Sequence, residues 1–143
     1  YPIKIQNGDI VRLYPGNKPE VYDKAPSGRL FVDGNIAVEE DSQSIKERKN
    51  LSANGFIQLT ILINSKGNIH GQPIITYKGL PIYNTEEFIV GLEEVIEKTT
   101  NTFSLNNKKQ ETNIIDALKI TCRKYTKEKT GKKPLTDINL VRI

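Results

Sequence analysis

The pattern of apolar and polar positions changes character about a third of the way along the chain. Before residue 50, the apolar residues come in short runs at 10–14, 20–23, 29–32 and 36–38, each bounded by Gly, Pro, Asn or Asp. This spacing predicts short strands joined by tight turns, with Asp33-Gly34 as a hairpin signal. Three or four such strands bury little surface by themselves, so they are expected to pack on something else. Residues 39–54 are polar and read as the join between two units, with Ser42 or Ser44 capping a short helix and Asn54-Gly55 ending it.

From Gly55 the pattern strengthens. Residues 56–63 are β-branched and apolar and predict a buried strand. Residues 64–68 read as a hairpin turn, and 69–77 as the return strand with Pro73 inside it. Proline has no N–H for a central ladder, which places that strand at an edge or gives it a bulge. Asn84 with Glu87 has the spacing of a helix N-cap, and Phe88, Ile89, Leu92, Val95 and Ile96 then form one helical stripe. A second helix carries Ile114, Ile115, Leu118, Cys122 and Tyr125 on one face, and Gly131 and Pro134 close it. Residues 135–143 read as a last strand. The expected class is α+β: short strands over 1–50, a join at 51–54, and a small β-β-α-α-β domain over 55–143 with both helices on one face of its sheet.

Composition narrows the chemistry. The 143 residues include one His, one Cys and no Met. One Cys excludes an intramolecular disulfide, and with one His it cannot build a thiolate or imidazole zinc site. No P-loop or G-x-G-x-x-G is present. Neither a catalytic residue nor a cofactor is therefore expected within the chain. The missing Met suggests a piece of a longer protein. No apolar run is long enough to cross a bilayer and no signal peptide opens the sequence, so the expectation is a cytoplasmic setting without membrane contact. His70 reads as an exposed or half-buried strand residue, Cys122 as a small buried hydrophobe, and the helical glutamates as a solvated face.

Charge is unevenly spread. Residues 1–100 carry 11 Lys/Arg and 13 Asp/Glu, a net of −2, whereas residues 101–143 carry 10 and 4, a net of +6. A cationic segment of this kind attracts phosphate and releases counterions, or else serves as a solvated helix face.

Several short signatures occur in the order seen in one family. They are Asn7-Gly8-Asp9, Pro26-Ser27-Gly28-Arg29 with Val32-Asp33-Gly34, and Arg48-Lys49-x-Leu51-Ser52 leading to Gly55. Gly71-x-Pro73-Ile74, Gly79 and Thr130-Gly131-Lys132-Lys133-Pro134 follow. Together they make the chain resemble the C-terminal part of ribonuclease J, in the β-CASP branch of the metallo-β-lactamase superfamily. The resemblance implies that residues 1–50 are the last strands of a metallo-β-lactamase core and that 55–143 are the C-terminal domain. It also implies that the zinc ligands and the RNA-hydrolysing chemistry lie upstream, in a parent enzyme that holds zinc. The piece would then serve subunit association in a homo-oligomer and RNA guidance. Arg123, Lys124, Lys127, Lys132 and Lys133 are the expected phosphate contacts. The competing reading is a structural dimerisation module with no nucleic-acid role, and a free-standing enzyme is the weakest of the three.

Overall fold

The computed structural model describes residues 1–143 and has mixed α+β character. Two compact units are present, Tyr1–Lys46 and Glu47–Ile143.

The first unit is built from two hairpins. Strands β1 (Asp9–Arg12) and β2 (Glu20–Lys24) pair antiparallel, as do β3 (Leu30–Asp33) and β4 (Ile36–Glu39). Gly34, with φ of 63°, makes the turn that Asp33-Gly34 predicts. The Asn-Gly-Asp and Pro-Ser-Gly signatures meet at the open end of the first hairpin. The Ala25 N–H donates to the Gly8 carbonyl at 2.7 Å and the Ser27 hydroxyl to the Asn7 carbonyl at 3.0 Å. Gly8 has φ of 90°, and a Cβ there would lie 2.6 Å from the Ala25 carbonyl oxygen. Both signatures are thus explained by chain geometry, without any chemistry assigned to them.

Helix α1 (Gln43–Asn54) runs through the segment read as a join. Gly55, at φ of 75°, ends it, with its N–H donating to the Leu51 carbonyl at 2.9 Å. In the second unit β5 (Phe56–Ile63) is the central strand of a three-stranded sheet, between β6 (Ile74–Lys78) and β7 (Leu135–Arg142). β5 and β6 are antiparallel; β5 and β7 are parallel, which requires the crossover formed by α2 (Thr85–Thr100) and α3 (Glu111–Thr130).

The return strand is shorter than the sequence pattern suggests. Ile69 makes only an isolated bridge with Ile63, and β6 begins at Ile74. Pro73 therefore precedes the strand instead of interrupting it, since its nitrogen has no hydrogen for the ladder. His70 falls in this break and is exposed.

The core lies between one sheet face and two helices. Ile57, Leu59, Ile61 and Ile63 alternate along β5 and are fully buried against Phe88, Leu92 and Ile96 of α2 and Ile114, Leu118 and Cys122 of α3. Fully burying side chains of this size contributes about 1.5–3 kcal/mol each. The Asn84 side chain accepts from the Glu87 N–H at 3.2 Å, so the N-cap forms as its spacing implies. At the far end of the sheet, Gly55 and Gly79 allow the start of β5 and the exit of β6 to approach. A Cβ at Gly55 would lie 2.7 Å from the Gly79 carbonyl oxygen.

Candidate functional site

The five expected phosphate contacts all lie near one end of α3. Arg123, Lys124 and Lys127 occupy its outer surface, because the 3.6-residue period that buries Leu118, Cys122 and Thr126 turns these three outward. Positions 123 and 127 are four apart, and 124 and 127 three apart, so they share one side of the helix. Lys132 and Lys133 follow the helix end and are exposed as well. Gly131, with φ of 75° and its N–H donating to the Lys127 carbonyl at 2.8 Å, turns the chain so that this lysine pair comes directly after the cap. Pro134 next to it is buried and fixes the point where the chain enters β7.

The helix terminus itself adds negative dipole character, which these cations offset. None of the five forms an ion pair, although Glu128 stands among them in the chain. Two other cations of this unit, by contrast, have structural roles. Lys129 meets Glu87 at 3.3 Å, between α3 and the first turn of α2. Arg142 donates through Nη1 to the Leu105 carbonyl at 2.9 Å and meets Glu111 at 3.5 Å, tying β7 to the start of α3. The resulting surface is cationic, solvent-facing and carried by a rigid helix. It can hold phosphate by charge, and it contains no nucleophile or proton-transfer pair.

The other candidates do not form a reactive centre. Cys122 is fully buried, and desolvation pushes its thiol up to about 12, only partly opposed by a hydrogen bond with Thr121. At neutral pH it is a thiol packed in a core. Burial also raises the Tyr125 phenol, partly offset by Lys129. No three His, Cys, Asp or Glu side chains converge in a way that could hold a metal, so the residues present do not fit a zinc site.

A groove of about 640 Å³ is not visible in the sequence. It runs between α2 and the β5–β6 connection and is edged by Glu93, Glu94 and Glu97. Those glutamates read from sequence as a solvated face, and only the tertiary placement of Gly67 to Gly71 beside them makes a groove. Its carboxylates repel phosphate, so it does not extend the α3 surface.

A family model for the ribonuclease J C-terminal domain matches residues 43–143. The chain belongs to that family. It is 26% identical over 142 residues to ribonuclease J of Sinorhizobium meliloti, covering 98% of this chain and 25% of that protein. With ribonuclease J of Corynebacterium glutamicum it shares 22% identity over 131 residues, covering 91% of this chain and 18% of the relative. The chain thus corresponds to the C-terminal portion of ribonuclease J and spans a quarter or less of these relatives' length. No helix is long and apolar enough to cross a membrane.

Proposed function

We propose that this portion of ribonuclease J is non-catalytic and guides RNA toward a zinc-dependent hydrolytic centre carried elsewhere in the parent protein. In this reading the hairpins of the first unit are the last strands of the metallo-β-lactamase core, and the α+β unit is an accessory domain working in the cytoplasm. The observation that carries the reading is the group of five exposed cations at the end of α3, in a domain of the ribonuclease J family that brings no metal-binding cluster together. Arg123, Lys124, Lys127, Lys132 and Lys133 contact phosphates, and the metal, where the parent holds it, activates water for attack on the phosphodiester. Replacing the five with Gln is expected to lower RNA affinity while leaving the fold intact, since all are exposed. Unchanged affinity would reduce the surface to a solvated helix face.

A second reading, subunit association through the α+β unit, is favoured by the sheet face opposite the helices. Ile74 is 56% exposed and Val141 41% exposed there, on the two edge strands. Such apolar positions suit a homo-oligomeric contact. Sedimentation of the chain should then show concentration-dependent association that Ile74→Asp or Val141→Asp weakens. A monomer at every concentration would remove this reading.

A further inference from the structure

One exposed combination of rings and a cation lies far in sequence from α3, on the β1–β2 hairpin. The register of that hairpin slips between Ile10, which pairs with Asp23, and Val11, which pairs with Val21. Tyr22 is the extra residue, left without a partner across the ladder. A bulge of this kind re-aims a side chain and occurs often beside functional sites. Here the re-aimed ring receives the Arg12 guanidinium, whose carbon stands 3.2 Å from the Tyr22 ring centroid. The same guanidinium donates through Nη1 to the Tyr14 hydroxyl at 2.9 Å and lies 5.8 Å from the Tyr14 ring centroid. Tyr22 is 57% exposed and Tyr14 43% exposed, in a unit none of whose residues is buried.

Two rings held by one shared guanidinium form an aromatic and cationic cluster, with Glu20 across the ladder from Arg12. An aliphatic protein partner makes no use of the cation. A nucleobase uses every part of it: its π-face stacks on a ring or on the guanidinium plane, and its neighbouring phosphate is attracted by the charge. We propose that Arg12, Tyr14 and Tyr22 form a stacking site for the bases of single-stranded RNA. The inference rests on the reading that the chain handles RNA, and it adds a site that recognises bases to one that recognises phosphates. Duplex RNA is a poor occupant, because its bases are already stacked on one another and only edges and backbone face outward.

The test is binding of the intact 143-residue chain to a labelled oligouridylate and to a blunt RNA duplex of the same length, across a salt series. Tyr22→Leu is expected to weaken oligouridylate binding about tenfold, the scale of one lost base–aromatic stack. Its salt slope and its duplex affinity stay the same. Tyr22→Phe, which keeps the ring, retains wild-type affinity. Because the chain has no Trp, tyrosine emission of the unaltered protein gives a second readout. Oligouridylate should quench it, and the quenching should shrink in Tyr14→Leu. Wild-type affinity in both Leu variants overturns the stacking site, and so does equal loss for oligouridylate and duplex. Failure of the α3 reading looks different: there the salt slope survives neutralisation of the lysines while the Tyr22→Leu defect persists. No binding of oligouridylate by the unaltered chain overturns both.

Discussion

At the scale of single residues, one tight constraint is Gly91 in the middle of α2. A Cβ there would collide with the phenol of Tyr125, whose hydroxyl donates to the Phe88 carbonyl at 3.1 Å. Gly inside a helix normally costs stability relative to Ala, so Gly91→Ala would stabilise an isolated helix. In this protein the clash wins, and chemical denaturation should show a loss of about 1–3 kcal/mol. Replacing Tyr125 with Phe as well should recover part of it, since the phenol oxygen is the nearest colliding atom. Cys122 supplies a second residue-scale prediction. Its thiol titrates near 9 when the chain is unfolded and is pushed up to about 12 in the core. The folded state therefore holds the proton more tightly. This contribution is fully present below pH 9 and is lost as pH rises toward 12, by up to about 1.4 kcal/mol per pH unit. Urea midpoints measured from mildly alkaline pH upward should fall through that window, and the fall should be shallower in Cys122→Ala.

At the scale of elements, local signals are legible in the sequence and long-range ones are not. The stripe Phe88, Leu92, Ile96 marks α2 and its buried side, and Asn84 marks its start, because capping and periodicity act within a few residues. Asn84→Ala should accordingly destabilise the domain by about 1 kcal/mol in thermal or urea melts. The Pro73 break is only half legible: the missing N–H is evident, but not that the strand begins after it. Nothing local shows that β7 pairs parallel to β5, because that choice is made by how α2 and α3 fill the crossover. The bulge that frees Tyr22 is also beyond sequence pattern, since a one-residue slip depends on the pairing of two strands. In the candidate site, the five cations are legible from charge and helical period. The acidic groove on α2 is not, because only the fold brings a distant turn beside Glu93 and Glu97.

At the scale of the whole molecule, the two proposed kinds of RNA contact fall in different units. The phosphate contacts begin at Arg123, and the stacking residues end at Tyr22. The family match covers residues 43–143 and so includes the first of these but not the second. The α+β unit has a division of charge within it: α2 carries Glu86, Glu87, Glu93, Glu94 and Glu97, while the end of α3 is predominantly cationic. RNA approaching this unit is expected to be drawn to the α3 end and turned away from α2. The central claim is that the α3 cations are phosphate contacts. Its most direct test is the slope of log affinity against log salt for a single-stranded RNA, comparing the chain with a variant carrying Gln at 123, 124, 127, 132 and 133. Each phosphate contact contributes about 0.7 to the slope for single strands, so the variant's slope should flatten by about 2–3.5 and its affinity should fall at low salt. Identical slopes for the two proteins would contradict the account.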